Sequence, residues 1–317
     1  MTIEHLAMTA IRTIAQELAR ATAILTQAGV DTPQLDAEVL MSHVLKSNRA
    51  HVISHPGQRL RHEEVHRFRE MIARRAKREP LAYITGEREF WGLTFLVTPA
   101  VLIPRPETET LVEVTLAQFR RWGAASAGPM AGTELGHYER EELVADIGAG
   151  SGCVAVALAV ELPDALIYAT EASHEAAEVA RRNAEKHGVE LSVVVLEGDL
   201  LDPLPEEVRG RLDVVVSNPP YIPSAEIDLL QPEIANYEPR QALDGGPDGM
   251  AYHRRILDAA RDWLKPGGWV HLEVGIGQAE SVAAYGRGQG YAAVRITNDL
   301  AGIPRVVSCS LLAAQGT

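Results

Sequence analysis

Short apolar runs alternate with helical stretches through the second half of the chain, and this alternation constrains the fold more than any other feature. Seven runs have the length and composition of strands: 143–147, 165–169, 191–196, 212–216, 269–274, 292–297 and 305–311. Helical patterns separate most of them, as at 154–161 and 174–187. Strands that alternate with helices build mostly parallel, doubly wound sheets. We therefore predict an α/β domain that binds its ligands at the carboxyl ends of the strands.

The first 80 residues or so lack strand-like alternation and predict a small α-helical bundle. One helix is expected to start at Asp31-Thr32-Pro33, where an N-cap candidate precedes a proline. Its apolar side is made of residues at helical spacing: Leu35, Val39, Leu40, His43 and Val44. A second helix is expected at 61–77, with Val65, Phe68, Met71 and Ile72 on its apolar side.

Connecting segments separate this bundle from the α/β region. Residues 87–98 alternate around a central glycine, which predicts a β-hairpin. Two prolines stiffen the next segment before a helix expected near Glu107. Residues 122–142 are rich in glycine, alanine and charge and are expected to form a surface loop or a mobile insert. The chain is thus divided into a helical domain at 1–84, a hairpin linker at 85–104 and an α/β domain at 105–317.

Composition and charge disfavour several classes of protein. The chain has 317 residues and a formal net charge of −13, and its two cysteines, Cys153 and Cys309, match no metal-ligand pattern. Since neither a secretory signal nor a membrane-length apolar run is evident, a cytoplasmic protein is expected, and we also expect it to be a monomer. The acidic balance disfavours a nucleic-acid partner. Residues 59–88 are locally basic, with nine Lys/Arg against five Glu, and form either a solvated helix face or a docking surface.

A glycine-rich turn, Asp146-Ile-Gly148-Ala-Gly150-Ser-Gly152-Cys153, follows the first predicted strand. Glycines let the backbone approach a ligand, and the helix that begins there offers free N–H groups. A dinucleotide-binding turn has its third glycine where this chain has Cys153, so the spacing favours S-adenosylmethionine over NAD. Glu171 ends the second strand, where it can accept hydrogen bonds from ribose hydroxyls. Asp199 ends the third strand, where an adenine amino group would lie.

The fourth predicted strand runs directly into Asn218-Pro219-Pro220-Tyr221. Two consecutive prolines fix two φ angles and leave the preceding carbonyls rigid and free to accept hydrogen bonds. The Asn218 side chain adds another acceptor, and Tyr221 offers a flat face for stacking. Two fixed acceptors can hold both hydrogens of a planar –NH2 group. The tetrapeptide therefore indicates methylation of a carboxamide or adenine nitrogen.

These motifs resemble those of class I methyltransferases of the Asn-Pro-Pro-Tyr group. Longer segments, at 86–92, 102–112 and 237–249, resemble the release factor glutamine methyltransferases, the PrmC/HemK family, and so does the helical N-terminal part. The resemblance covers nearly the whole chain, and the segment 104–109 is specific to the family. It implies a Rossmann-like, seven-stranded methyltransferase domain behind a small helical domain. We expect the N-terminal helices and the hairpin to dock the protein substrate. Residues 123–142 depart from the family pattern by their length.

The resemblance also implies an activity and a set of site residues. The activity is methyl transfer from S-adenosyl-L-methionine, leaving S-adenosyl-L-homocysteine, to the glutamine amide nitrogen in the Gly-Gly-Gln motif of class I peptide chain release factors. The implied cofactor-binding residues are Gly148, Ala149, Gly150, Ser151, Gly152, Glu171, Asp199, Leu200 and Asn218. Asn218, Pro219 and Tyr221 are the implied catalytic residues, and they bind the substrate together with Pro220, Arg105 and Glu107. Glu171 stands where aspartate is commoner in the family.

Three other functions stay open as alternatives. The Asn-Pro-Pro-Tyr tetrapeptide also resembles that of enzymes that methylate the adenine amino group of DNA. An N6-adenine nucleic-acid methyltransferase is therefore the main alternative. His62-Glu63-Glu64-Val65-His66 matches the zinc-binding string His-Glu-x-x-His, but no third ligand is evident, and no metal is expected. A binding module that has lost its activity is the last, and the intact Asn-Pro-Pro-Tyr disfavours it.

Overall fold

The computed structural model describes residues 12–126 and 142–313. Contacts between Cα atoms divide this chain into two compact units. Unit 1 runs through Gly86 and also includes the separate segment Gln231–Tyr237, while unit 2 contains the rest. The chain therefore leaves unit 2 after Leu230 and returns to it at Glu238.

Unit 1 is built mainly from helices, as its sequence predicts. They are α1 (Ile14–Gln27), α2 (Pro33–Leu45), α3 (Arg49–Ser54), α4 (His62–Arg75) and α5 (Leu81–Thr85), and a single turn at Pro232–Ala235 lies in the separate segment. The predicted start of α2 at Pro33 is confirmed. One unpredicted element is a two-residue antiparallel pair, β1 (Arg12–Thr13) with β2 (Arg59–Leu60). It is too short to produce an alternating pattern.

The core of unit 1 lies between α1, α2 and α4. Its largest fully buried side chains are Ile14, Leu25, Leu40, Met41 and Phe68. The expected apolar side of α4 is buried at Val65, Phe68 and Ile72, but the expected position of Leu35 is wrong, because this residue is 39% exposed. The buried stripe of α2 follows Ala37, Leu40, Met41 and Val44, and helical geometry places Leu35 on the opposite side.

A cluster of ion pairs holds the separate segment within unit 1. The Glu233 carboxylate accepts hydrogen bonds from Arg75 Nη1 at 2.9 Å and from Arg78 Nε and Nη2 at 2.6 and 2.7 Å. Arg75 is buried and also donates to Asp36 Oδ2 at 2.7 Å. The Tyr237 hydroxyl donates to the Lys77 carbonyl at 2.7 Å. Glu233 therefore pairs with two guanidinium groups, that of Arg75 at the end of α4 and that of Arg78 in the turn after this helix.

Much of the positive charge in the basic stretch 59–88 is neutralised by these and similar ion pairs. Five of its nine cations are paired with carboxylates: Arg61 with Glu64, Arg69 with Glu17, Arg74 with Glu79, Arg75 with Asp36 and Glu233, and Arg78 with Glu233. Binding to a phosphate backbone depends on cations that can displace counterions. The pairing therefore makes the stretch a poorer surface for nucleic acid than its sequence suggests.

Unit 2 opens with the predicted β-hairpin, β3 (Glu87–Phe90) paired antiparallel with β4 (Leu93–Leu96). The two turn residues, Trp91 and Gly92, both have positive φ angles of 55° and 68°, as in a type I′ hairpin turn. Phe90 and Phe95 are buried in the core of unit 2. The Trp91 N–H donates to Glu109 Oε1 at 2.8 Å, so the hairpin is tied to the start of the next helix.

A seven-stranded sheet forms the centre of unit 2 and confirms all seven predicted strands. The strands are β5 (Glu142–Ile147), β6 (Ala165–Glu171), β7 (Val193–Glu197), β8 (Leu212–Ser217), β9 (Leu264–Glu273), β10 (Ala293–Asn298) and β11 (Pro304–Ser310). Their order across the sheet is β10-β11-β9-β8-β5-β6-β7. The five strands from β9 to β7 are parallel, whereas β11 is antiparallel to both of its neighbours. The sheet is therefore mostly parallel and doubly wound.

Helices cover both faces of the sheet. They are α6 (Glu109–Ser126), α7 (Cys153–Glu161), α8 (His174–Lys186), α9 (Ala251–Trp263) and α10 (Ala279–Gly288). The first three share one buried cluster with Val144 and Val216, and the last two share another with Ala145 and Val215. Alternate residues of a strand thus enter opposite cores. Among residues 12–126 and 142–313, no helix is both long enough and apolar enough to span a lipid bilayer.

Helix α6 extends further than the sequence predicts. The expectation that a surface loop begins at Trp122 is wrong, since the helix continues to Ser126 and β5 begins at Glu142. Alanines at 124 and 125 favour helix, and an existing helix lengthens at little cost, which outweighs the single Gly123. The remainder of that predicted loop, residues 127–141, lies outside the described residues.

Candidate functional site

A cavity opens at the carboxyl ends of β5, β6 and β8, where ligands of doubly wound sheets bind. Its empty volume is about 1170 Å³, including solvent at the mouth. Most of the expected site residues line it: Arg105, Gly148, Ala149, Gly150, Ser151, Glu171, Asp199, Leu200, Asn218, Pro219 and Pro220. Three expected residues, Gly152, Tyr221 and Glu107, are not among its lining residues. The structure thus brings the two sequence motifs to one cavity.

The glycine-rich turn is held against the end of β6. The N–H groups of Gly148 and Ala149 both donate to the Thr170 carbonyl at 2.9 Å. Gly148 and Gly150 have positive φ angles of 72° and 56°, and a Cβ atom at either position would meet no atom within 4 Å. Both glycines therefore leave open space beside the cavity. At Gly152, by contrast, a Cβ atom would lie only 3.2 Å from Ala180. The absence of a side chain at Gly152 therefore permits α7 to pack closely on α8.

Glu171 joins the turn to the second strand. Its carboxylate accepts hydrogen bonds from the N–H groups of Gly150 at 2.8 Å and Ser173 at 2.9 Å. The sequence suggested only the ribose as a partner, so this structural role of Glu171 is additional. Beside it, the Thr170 hydroxyl is fully buried and has no hydrogen-bond partner among the described residues. Buried hydroxyls normally have partners, so this one is an exception inside the end of β6.

Burial changes the ionisation of two groups beneath the turn. Desolvation raises the pKa of Asp146 to about 7, and the nearby charge of Glu171 adds to the effect, although a hydrogen bond from the Ala155 N–H opposes it. Desolvation also raises the pKa of Cys153 to about 12. Cys153 is therefore a neutral thiol at physiological pH, and reactive thiols have the opposite property. This cysteine lines the cavity without being a nucleophile.

Residues that directly follow β7, the third strand of the seven-stranded sheet in chain order, form the outer wall of the cavity. Leu200 adopts the left-handed backbone region, with φ of 49°, a conformation that costs a branched residue energy and is typical of functional sites. The Asp199 carboxylate is exposed and forms an ion pair with Arg255 of α9. Arg255 also lies 5.8 Å from the ring centre of Tyr252, which lines the cavity. Tyr252 is an aromatic lining residue that the sequence motifs did not indicate.

Asn218, Pro219 and Pro220 lie at the end of β8 and line the cavity. Strand β8 is fastened to β5 at this end, because the Ser217 hydroxyl donates to the Ile147 carbonyl at 2.6 Å. The Asn218 side chain donates from Nδ2 to the Thr108 hydroxyl at 3.1 Å. Among the described residues nothing donates to its Oδ1 atom, which is therefore left as an acceptor. The motif is thus held rigidly, with one amide oxygen available.

Tyr221 follows the cavity-lining Pro220 but does not itself line the cavity. Its hydroxyl donates to Glu273 Oε1 at 3.3 Å, and its carbonyl accepts from Gln278 Nε2 at 2.8 Å. Gly249 packs against it so closely that a Cβ atom there would lie 2.3 Å from the Tyr221 carbonyl oxygen. Burial raises the pKa of Tyr221, and the adjacent Glu273 carboxylate raises it further. Tyr221 is therefore a neutral, fixed side chain, and its stacking role stays a prediction.

Thr108 and Glu273 support the motif, and the sequence reasoning did not single out either. Both are at most 2% exposed. Burial raises the pKa of Glu273 to about 7, while the nearby Thr108 and Tyr221 hydroxyl groups and the Arg305 cation oppose this effect. A glutamate at the end of a strand that finishes at the ligand-binding edge was the available signal for Glu273. Thr108 lies inside the segment 104–109, which the family resemblance had already marked.

The two expected substrate-binding residues of that segment differ in their surroundings. Arg105 lines the cavity, and its Nη2 donates to Glu238 Oε1 at 2.6 Å. Burial raises the pKa of Glu238, although the Arg105 cation opposes this effect. Glu107 is exposed and does not line the cavity. Arg105 is thus engaged in holding a buried carboxylate at the rim.

No metal centre is found in the part of the chain that the structure describes. No group of three or more histidine, cysteine, aspartate or glutamate side chains is suitably placed to hold a metal ion there. In the string His62-Glu63-Glu64-Val65-His66, Glu64 bonds to Arg61 and His66 to Glu70. These are local contacts on the surface of α4.

Protein-family models match both parts of the chain. A model described as the PrmC N-terminal domain matches residues 16–86, and one described as the methyltransferase small domain matches residues 134–235. Among solved structures, the catalytic domain of human Mettl16 in complex with the MAT2A 3′UTR hairpin 6 has a TM-score of 0.53 at 15% identity. That match covers 81% of this chain and 84% of the other. At this identity the likeness concerns the fold alone.

Relatives of known name are much more similar. The release factor glutamine methyltransferase of Geobacter sulfurreducens is 46% identical over 283 residues, covering 89% of this chain and 91% of the relative. That of Moorella thermoacetica is 40% identical over 295 residues, covering 92% and 96%. At these coverages both matches include the glycine turn and the Asn-Pro-Pro-Tyr motif. The chain therefore belongs to the release factor glutamine methyltransferase family.

Proposed function

We propose that the cavity binds S-adenosyl-L-methionine as the methyl donor, without a metal. Two features of the site fit this cofactor: the open space at Gly148 and Gly150, and the carboxylate of Glu171. Ala149, Ser151, Asp199 and Leu200 complete the wall that would hold it. When bound, this cofactor supplies a methyl group activated by a positively charged sulfur.

The acceptor that the site fits best is a planar –NH2 nitrogen, and the geometry of Asn218 carries this conclusion. Its Nδ2 atom is already bound to Thr108, so Oδ1 remains for the acceptor's hydrogens. The rigid Asn-Pro-Pro backbone adds a second fixed acceptor. An amide nitrogen is unprotonated at neutral pH, so these residues orient the nitrogen and stabilise its developing charge without a strong base. Positioning and preorganised dipoles of this kind each supply several kcal/mol.

The proposed acceptor is the side-chain amide of glutamine in the Gly-Gly-Gln motif of class I peptide chain release factors. The names of the relatives support a release factor and a glutamine. The net charge of −13 and the internal pairing of the basic stretch support a protein over a nucleic acid. An adenine amine offers the same two hydrogens, so N6-adenine methylation is the alternative that the test must distinguish. We also propose that the activity is cytoplasmic, because release factors act in translation.

Transfer of labelled methyl groups tests this proposal directly. Purified protein is incubated with labelled S-adenosylmethionine and, separately, with a release factor, duplex DNA and an RNA hairpin. We expect label only in the release factor, and peptide mass spectrometry should locate one added methyl on the glutamine. Label that enters nucleic acid alone would replace the proposed acceptor with adenine.

Substitution of Asn218 tests the site itself. Asn218→Ala removes the free amide oxygen, and we expect kcat to fall about 10²- to 10³-fold, the typical effect of removing one such polar group. Cofactor binding, measured by calorimetry, should remain measurable. Asn298→Ala is a matched control, because this asparagine is exposed and does not line the cavity. An unchanged rate in the Asn218 variant would remove Asn218 from the mechanism.

We also propose a division of labour along the chain. The helical domain at 1–84 would dock the protein substrate as part of a monomer, with a linker at 85–104 and catalysis at 105–317. Arg59 and Arg67 are exposed cations of the helical domain, and reversing both charges should raise KM for the release factor while leaving cofactor affinity unchanged. Lys186→Glu on α8 is the control. Equal effects on both measurements would count against a docking role.

A further inference from the structure

The Asn-Pro-Pro-Tyr motif has few backbone groups of its own with which to hold its place. Proline has no N–H, so Pro219 and Pro220 cannot donate hydrogen bonds to neighbouring segments. Their rings fix φ, but they do not fix the ψ angle of Pro220, which directs the chain into Tyr221. At the start of the motif, the Ser217 hydroxyl fastens the end of β8 to the Ile147 carbonyl at 2.6 Å. The other end, at Tyr221, needs a fastening of its own if the atoms between are to stay in place.

The side-chain amide of Gln278 supplies this second fastening. Gln278 is half-buried and directly precedes α10. Its Nε2 donates to the Tyr221 carbonyl at 2.8 Å and makes a longer contact with the Gly249 carbonyl at 3.5 Å, while its Oε1 accepts from the Gly275 N–H at 2.9 Å. A carbonyl can only accept and an N–H can only donate, so these partners permit one orientation of the amide. Gln278 thus joins the end of the motif to the turn between β9 and α10.

Glycines on two segments make room for this link. A Cβ atom at Gly249 would lie 2.5 Å from Gln278 Nε2, and one at Gly275 would lie 2.9 Å from Gln278 Oε1 and 3.1 Å from Tyr221 Cδ2. A Cβ atom at Gly245 would lie 2.7 Å from the Tyr221 Cα atom. The surroundings of Tyr221 and of the Gln278 amide are therefore too close to hold a side chain at any of these three positions.

The chain after Tyr221 is held in a different way. The Ile222 N–H donates to the Leu243 carbonyl at 3.0 Å, and the Ile222 carbonyl accepts from the Gly245 N–H at 2.8 Å. These bonds join backbone to backbone and survive most substitutions. The bond to the Tyr221 carbonyl comes from a side chain, so a single substitution can remove it.

We infer that Gln278 is a positioning residue for methyl transfer, which fixes the carbonyl end of Asn-Pro-Pro-Tyr and thereby the place of the Asn218 acceptor atoms. This inference rests on the proposed function, because it assumes that Asn218 and the backbone beside it hold the –NH2 group. Gln278 is not among the residues that line the cavity, so it acts through the motif and not on the substrate. With Ser217 at one end and Gln278 at the other, the stiff pair of prolines is held between two fixed points.

A purely structural role for Gln278 can be separated from this one. The contact between its Oε1 and the Gly275 N–H shapes only the turn before α10, whereas the contact of Nε2 with the Tyr221 carbonyl reaches the motif. Gln278→Glu keeps an oxygen for the Gly275 N–H, but an ionised carboxylate has no hydrogen to donate to the Tyr221 carbonyl. Gln278→Ala removes both contacts.

Gly275→Ala disturbs the same link without changing Gln278 itself. Gly275 is not among the residues with a positive φ angle, so alanine is compatible with its backbone. The added methyl group would instead displace the Gln278 amide, whose Oε1 it would approach to 2.9 Å. In a Gly275→Ala/Gln278→Ala double variant that amide is absent, and the main conflict disappears with it.

The three single variants and the double variant are compared with the wild type in the release-factor assay at about pH 8. For each protein, kcat, KM for the release factor, cofactor affinity by calorimetry and the melting temperature are measured. Gln289→Ala and Gln289→Glu are matched controls. Gln289 follows the other end of α10, is also half-buried and does not line the cavity.

We expect Gln278→Ala and Gln278→Glu each to lower kcat by about tenfold to 100-fold, because a misplacement of about 1 Å can cost about 100-fold in rate. KM and cofactor affinity should stay within about threefold of the wild type, as expected when a change acts on the transition state. Gly275→Ala should also lower kcat, but it should cause little further loss in the Gln278→Ala background, because both changes act on one link. Both Gln289 variants should keep the wild-type rate.

Several outcomes would overturn the inference. A Gln278→Glu variant with the wild-type kcat would show that only the contact with Gly275 matters, which is a structural role. A double variant whose losses multiply would show that the two residues act separately. A fall in kcat matched by equal losses of cofactor affinity and melting temperature would indicate a general loosening of the fold. Failure of the proposed function is distinguishable, because it appears in the wild type as label in another acceptor, and the ratio of variant to wild-type rates is then measured with that acceptor.

Discussion

Replacement of Glu233 by glutamine should loosen unit 1 while leaving unit 2 intact. Glu233 is 14% exposed and receives three hydrogen bonds from Arg75 and Arg78, whose side chains are 8% and 20% exposed. Glutamine keeps one accepting oxygen and turns an NH2 group toward a guanidinium. Since a hydrogen bond to a charged group contributes about 1.5–3 kcal/mol, the loss of one bond and of the charge should cost about 2–3 kcal/mol. This is below the full cost of breaking a wholly buried pair, because Asp36 still binds Arg75.

Hydrogen exchange measured by mass spectrometry can detect this change where it occurs. A loss of about 2–3 kcal/mol should accelerate exchange in peptides of α4 roughly 30- to 150-fold, since each 1.4 kcal/mol is a factor of ten. Peptides from β8 serve as the internal reference. Asp228→Asn is the matched control, because Asp228 pairs with Arg240 on the surface, where both side chains are more than half exposed. Such surface pairs contribute little.

The effect should also depend on pH in a defined direction. Burial raises the pKa of Glu233, but hydrogen bonds from Arg78 and Arg75 outweigh burial and hold the pKa below its ordinary value of 4.5. A carboxylate of this kind stabilises the fold above pH 4.5 and loses its contribution as the pH falls through the lowered pKa. The wild type and the variant should therefore converge under acid conditions. Equal exchange of α4 in both proteins at pH 7 would refute the reasoning.

Three further substitutions have expected outcomes. Glu171→Ala removes the acceptor for two backbone N–H groups. Since two charge-assisted hydrogen bonds contribute roughly 3 kcal/mol, cofactor binding measured by calorimetry should weaken about 100-fold or more. An unchanged affinity would mean that the carboxylate does not shape the cofactor site. Gly249 has a φ of 72°, and Gly249→Ala places a Cβ against the Tyr221 carbonyl oxygen. This change should lower kcat and the melting temperature together. A variant with normal kinetics would contradict this expectation. Arg105→Met leaves Glu238 buried without its cation and should lower the free energy of unfolding, measured in urea, by about 2–3 kcal/mol. The additional Glu238→Gln change should restore most of that stability. Failure to do so would show that Arg105 stabilises the protein in another way.

The fold could be predicted almost completely because its signals are local. Each strand of the sheet is a short apolar run bounded by turn residues, and the start of α2 is marked by the proline at position 33. The exceptions are elements whose stability does not depend on local pattern. Strands β1 and β2 are two residues long, and their pairing joins positions far apart in the chain. The C-terminal end of α6 depends on the balance between one glycine and its neighbouring alanines.

The candidate site was predictable where it is built from contiguous motifs. The glycine turn and the Asn-Pro-Pro backbone lie at the cavity because each follows directly from a strand. The supporting contacts come from distant positions: Thr108 precedes α6, Glu273 ends β9 and Gln278 precedes α10. A pattern of residue types does not indicate which buried carboxylate lies beside which hydroxyl. The sequence identified the groups that face the ligand but missed those that hold them.

The two-part composition of unit 1 has a consequence for any attempt to divide this protein. Its second part, Gln231–Tyr237, lies in the chain after the Asn-Pro-Pro-Tyr motif. A fragment that stops near Gly86 would lack Glu233 and leave Arg75 and Arg78 with fewer partners. A fragment that starts there would carry the segment without the helices that bind it. No single cut of the polypeptide therefore yields both units intact, and a circularly permuted or internally shortened chain is needed to obtain unit 2 without an orphaned segment.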